Sequence, residues 1–201
     1  MKHFIILSLL LIANILPNKI LAQCAGMNII NQEDFNSGTS GTWTAFDVKG
    51  DDSWEFSGSF QNAFINGFGG DVAGEEDWLI SPALDFSTTT DIMMTFEYSE
   101  RFSGPDIEVL YNTEYSGTGN PNAAAVPWIL IETLPDLTSS SSFPSNVDYT
   151  IDLSALNDAN IYIAFKYTAT TPNGGDAEAW RIDEVCISGG DPNNGGGGGN
   201  G

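Results

Sequence analysis

Positive charge is what this chain has least of: six Lys and Arg stand against 27 Asp and Glu among 201 residues, with one histidine and two cysteines. So few cations exclude nucleic-acid binding by this chain, because phosphate backbones are held by clustered Lys and Arg with counterion release. The single histidine, His3, lies in the first residues, so histidine-based triads and zinc sites have no imidazole to use. Long apolar runs are also missing. The best candidate, residues 4–15, is about a dozen residues where a spanning helix needs about 20. No stretch beyond it has a helical period.

What is present begins with an export signal. Lys2 and His3 precede that apolar run and Ala22 precedes Gln23, the pattern of a secretory signal peptide over residues 1–22. A lipid anchor on Cys24 is the alternative, although Gln23 is larger than the residue usual before a lipidated cysteine. Loss of the leader removes Lys2 and Lys19 and leaves Lys49, Arg101, Lys166 and Arg181 against 27 acids, a net charge of −23. Such a charge favours solubility and cationic or neutral ligands. In an oxidising compartment Cys24 and Cys186 are expected to pair. Two unpaired thiols, or a lipidated Cys24 with Cys186 left free, are the other arrangements.

The body reads as short strands. Residues 27–35, 43–46, 53–56, 63–66 and 77–82 are apolar runs separated by turn residues. Ile92, Met94, Phe96 and Tyr98 alternate with more polar neighbours, and the same period of two recurs at 107–111, 147–153 and 161–167, the mark of half-buried antiparallel strands. The last strand runs from Trp180 to Ile187. About ten strands predict one all-β, antiparallel sandwich over residues 23–189, followed by a Gly-rich linker or tail over 190–201. Trp54, Trp78 and Trp180 sit in apolar runs and read as core. Two connections, 113–127 and 135–146, are too long for simple hairpins, and long loops on a rigid sandwich are where ligands usually bind. Tyr115 and Trp128 are therefore candidate ligand platforms, or else anchors of their loop.

Between Trp43 and Trp54 lies the acidic segment Asp47-Val48-Lys49-Gly50-Asp51-Asp52-Ser53. Crowded carboxylates repel one another and call for a cation, and oxygen ligands on a flexible loop suit Ca²⁺. Asp47, Asp51 and Asp52 are the candidate ligands; a solvated turn is the plain alternative. Carboxylate pairs such as Glu97 with Glu100, or Glu75 with Glu76, lack a glycosidase strand signature, so the chain is expected not to be an enzyme.

Four blocks carry a family resemblance: residues 43–54; Glu76-Asp77-Trp78-Leu79-Ile80-Ser81-Pro82-Ala83-Leu84; residues 111–121 leading to Trp128; and 161–167 followed by Trp180-Arg181-Ile182-Asp183-Glu184-Val185. In their order and spacing they resemble the secreted choice-of-anchor J and cleaved-adhesin domains of Bacteroidetes. The resemblance implies a jelly-roll sandwich, structural calcium, and a non-catalytic adhesive module that recognises an extracellular glycan or protein. It also implies that Glu33 or Asp34 and Asp183 complete the acidic site, since jelly rolls bring first and last strands together. Val48-Lys49 departs from the acidic turn of the calcium-binding adhesins and places a competing cation there. The alternative role is an accessory domain of an extracellular nuclease or peptidase whose catalytic part lies beyond residue 201.

Overall fold

A computed structural model describes residue 24 and residues 28–68, 74–137, 140–170 and 177–190. The expected leader and nearly all of the expected linker lie outside the described residues; Gly190, placed in the linker above, instead closes the last strand. Eleven strands run in chain order: β1 Asn28–Glu33, β2 Thr44–Lys49, β3 Glu55–Ser57, β4 Asn62–Asn66, β5 Glu75–Ile80, β6 Thr90–Arg101, β7 Glu108–Asn112, β8 Ile129–Thr133, β9 Val147–Asp152, β10 Tyr162–Ala169 and β11 Ala179–Gly190. No α-helix occurs among the described residues.

The strands form the expected all-β sandwich of two antiparallel sheets. The first has the order β3-β4-β11-β6-β9, with β1 pairing the far half of β11, and the second the order β2-β5-β10-β7-β8. Strand β11 is the spine of the first sheet. It borders β6 along its length, β4 through Ala179–Ile182, and β1 through Val185–Gly189. A bulge between Asp183 and Cys186, with Glu184 at φ 47°, separates the two halves. Cys24 and Cys186 form the disulfide, both fully buried, with Cα atoms 5.8 Å apart.

Alternation explains the core. Phe96 and Tyr98 on β6, Phe165 on β10 and Trp180 on β11 all point between the sheets. Phe96 meets Phe165 edge-on at 5.2 Å, Trp43 stacks on Phe165 at 5.7 Å, and Tyr98 stacks on Trp180 at 5.8 Å. Each such side chain withdrawn from water contributes about 1.5–3 kcal/mol. The outer face of the second sheet is not wet, as the alternation alone suggests. Trp78, Ile80, Leu110 and Tyr162 there are buried under the 113–128 connection, which brings Tyr115 and Trp128 down onto them.

Candidate functional site

Strand pairing builds the acidic corner. β2 lies antiparallel to β5 with Asp47 opposite Asp77, so the first acid of the expected turn is in fact a strand residue facing a like charge. Past Lys49 the chain turns at Gly50, whose φ is 116°; a Cβ there would overlap the Glu75 carboxylate, so glycine is what lets Glu75 reach into the turn. The Asp52 N–H donates to Glu75 Oε2 at 3.3 Å. The corner thus gathers Asp47, Asp52, Glu75 and Asp77, with Asp51 exposed at its edge.

Its electrostatics are one-sided. Asp77 is fully buried, and neither of its carboxylate oxygens has a hydrogen-bond partner; Asp52 Oδ2 and Glu75 Oε1 are likewise buried and unpartnered. Burial first, then repulsion by Asp47, Glu75, Asp52 and Glu76, pushes the Asp77 pKa from 3.8 up to about 8. Burial and the neighbouring acids Glu75, Glu55 and Asp51 raise Asp52 to about 6. No basic side chain is among the groups shifting either residue. The ammonium of Lys49, the expected competing cation, lies against Gly74, the residue before Glu75, close to where a Gly74 Cβ would fall. The corner is closed around Asp77 and open at Asp47, but among the described residues no three of its carboxylates bring an oxygen within 4.8 Å of one another, so a cation with several oxygen ligands would have to draw them together.

The residues expected to complete the site lie elsewhere. Asp183 is raised to about 7 by burial and by Glu184, Glu97 and Asp34, none of which acts on Asp77. Asp183 Oδ1 accepts from the Glu184 N–H at 2.7 Å at the β11 bulge. Glu33 accepts from the N–H groups of Thr42 and Phe35 and so closes the turn after β1, and Asp34 accepts from the Asn36 N–H. The physical reason is that β1 and β11 belong to one sheet and β2 and β5 to the other. Jelly-roll closure does join first and last strands, but not at this corner.

A further acidic group joins Glu100, Asp136 and Glu178, with one carboxylate oxygen of each within 4.8 Å of the others. Burial and repulsion by Glu100, Asp136 and Asp106 raise Glu178 to about 8, and it shares a hydrogen bond with Glu100. The Leu137 N–H donates to Glu100 Oε1 at 2.6 Å. A proton held on Glu178 relieves this group and is shared with Glu100, whereas a proton on Asp77 has no hydrogen-bond partner.

Tyr115 is buried and its hydroxyl donates to the Gly119 carbonyl at 2.7 Å, while Trp128 Nε1 donates to the Pro121 carbonyl at 3.0 Å. Tyr115, Trp128 and Trp78 pack on one another with ring centroids 5.1 and 5.5 Å apart, which makes the first two anchors of their loop. Trp128 keeps one part in a shallow groove beside Lys166.

Sequence reasoning missed Glu75 and Asp77 as members of the corner, and passed over Glu178. The available signal was phase: Glu75 and Asp77 share the face of Leu79, and Glu178 that of Trp180 and Ile182. A carboxylate in step with core residues must be buried with them.

The frame and its corner define the class: a two-sheet jelly roll whose ionisable interior is almost wholly acidic. No protein-family model matches the chain, and no curated protein matches it by sequence. Solved structures do. The K3 cleaved adhesin domain of Lys-gingipain from Porphyromonas gingivalis W83 superposes with a TM-score of 0.54 at 16% identity, covering 81% of this chain and 99% of that domain. The K2 cleaved adhesin domain of Lys-gingipain does so with a TM-score of 0.51 at 18% identity, covering 79% and 98%. The chain has the cleaved-adhesin fold.

Proposed function

We propose that the chain is a secreted, calcium-stabilised, non-catalytic module that binds an extracellular glycan or protein. The observation that carries the calcium is Asp77, a fully buried carboxylate with two unpartnered oxygens beside Asp47, Asp52 and Glu75. Leaving such a group ionised and unpaired in the interior costs several kcal/mol, and a divalent cation removes that cost. The buried Cys24–Cys186 bond and the acidic surface suit an oxidising, calcium-rich exterior. The adhesin-type frame and its long connections favour recognition over chemistry.

Melting in chelator and in 1 mM Ca²⁺ tests the metal. An affinity near 10⁻⁴ M, ordinary for extracellular modules, supplies about 1.4 kcal/mol at that concentration and raises the Tm by about 3–6 °C. Asp77→Asn abolishes the rise. No rise in the unsubstituted protein refutes the calcium site. Glycan and matrix-protein arrays in calcium test the recognition, and an array without any ligand refutes it.

A further inference from the structure

The first sheet carries a second feature on its outer face, distinct from the acidic corner, with Glu55 at its edge and Asp183 two residues along β11. Arg181 on β11 and Arg101 at the end of β6 point outward, and Phe143 from the 135–146 connection folds down between them. The Phe143 ring centroid lies 3.7 Å from the Arg181 guanidinium carbon and 4.8 Å from that of Arg101. Phe60 closes the other side of Arg181 at 5.1 Å and is 67% exposed. Together with Phe64, Asn62 and the carboxylate-bearing Glu55 they line a cleft of about 320 Å³, at the small end of ligand clefts, which run from about 300 to 1,000 Å³.

Two features make this cleft unusual in its chain. Half of the four basic residues beyond the leader are here, yet among the described residues neither arginine forms an ion pair, although 27 acids are available. Each also has a buried Nε–H without an acceptor. Partial burial first, then repulsion by Arg101, lowers the Arg181 pKa. The rim is built rather than loose: the Phe60 N–H donates to Ser57 Oγ at 3.1 Å, and Asn62 Nδ2 donates to the Phe60 carbonyl at 2.9 Å.

We propose that this arginine–phenylalanine cleft binds a carboxylate-bearing sugar, a uronic or sialic acid, within an otherwise neutral glycan. This rests on the reading of the chain as a binding module and names its ligand class. Two guanidinium groups lining one cleft, and outnumbering its single carboxylate Glu55, match one ligand carboxylate, and the exposed Phe60 ring offers an apolar platform for a pyranose face. The field of a chain with net charge −21 over its full length opposes a polyanion, so a single, spaced carboxylate is the anion it admits.

Calorimetric titration of the full chain in calcium compares 3′-sialyllactose with lactose, glucuronoxylo-oligosaccharides with unsubstituted xylo-oligosaccharides, and a short peptide with a free terminal carboxylate. An acidic sugar is expected to bind and its neutral partner not to. Arg181→Gln and Arg101→Gln each weaken binding about tenfold or more, the effect of losing a hydrogen bond to a charged group. The exposed Phe60→Ala weakens it too and keeps the wild-type Tm, which guards against a folding defect in the arginine variants. Equal binding of neutral and acidic sugars, preference for the peptide, or acidic-sugar binding indifferent to both arginine variants overturns the proposal. If the arrays then still yield a ligand, the binding-module reading survives alone; if they yield none, both fall.

Discussion

Asp77 makes stability depend on pH in an unusual direction. Its pKa is 3.8 when exposed and about 8 in the fold, so between these values the folded chain holds a proton that the unfolded chain releases. Stability from this group is complete below pH 4 and is lost as the pH rises toward 8. At 1.36 kcal/mol per unit, the calcium-free protein loses up to about 5 kcal/mol between pH 4 and pH 7.5, a large share of the 5–15 kcal/mol typical of a domain. For a body of this size that lowers the Tm by about 10–20 °C. Thermal melts of metal-stripped protein at half-unit pH steps read the slope directly. Saturating Ca²⁺ removes the proton from the bound state and flattens the curve. Asp77→Asn leaves an amide where the carboxyl was, so its absolute stability also changes, and the comparison is therefore of slopes. Asp52, Asp183 and Glu178 are shifted the same way, so the variant keeps part of the slope. Identical slopes for wild type and Asp77→Asn would refute the reasoning.

Other substitutions separate the remaining contributions. Gly50→Ala meets both an unfavourable φ of 116° and the Glu75 carboxylate, and is expected to cost about 1–3 kcal/mol in denaturant melts and to weaken the calcium response. Tyr115→Phe removes the hydroxyl bond to Gly119 and is expected to cost about 1 kcal/mol, without changing acidic-sugar binding in the same titration that tests the arginines. Replacing both Cys24 and Cys186 by Ala opens a closure of 162 residues, and the entropy model puts the loss at about 5 kcal/mol, read as a lower denaturation midpoint with a steeper slope because the uncrosslinked denatured chain is more expanded.

The fold was legible wherever one strand face is buried and the other wet. β6, β9 and β10 alternate in sequence and are strands in the structure, and the two cysteines form the disulfide that was expected of them. β8 escaped notice because it is an edge strand: Ile129 and Leu130 are each 51% exposed, so its apolar run carries no alternation. The acidic corner was half legible. Local spacing indicated Asp47 and Asp52, but Asp77 arrives by strand pairing some 30 residues along the chain, which no local pattern records. The arginine cleft was not legible at all. It needs the register that sets β11 beside β6, and a phenylalanine from a loop with no period of its own.

The acidic corner and the disulfide bear on where such a chain can be stable. Each raised carboxyl adds to the free energy lost at neutral pH without a cation, and the disulfide supplies its share only where thiols are oxidised. A cytoplasm offers sub-micromolar calcium and reducing conditions, so on this reading the chain there is both uncrosslinked and electrostatically strained. Outside, millimolar calcium and an oxidising environment remove both penalties together. Metal-stripped, reduced protein at pH 7.5 should therefore melt in one transition, with a loss of stability close to the sum of the separate losses from chelation and from reduction, if the bond at β11 and the corner at β5 are separate sites of one cooperative sandwich. Two separate transitions would mean that the two ends of the structure fold independently of each other.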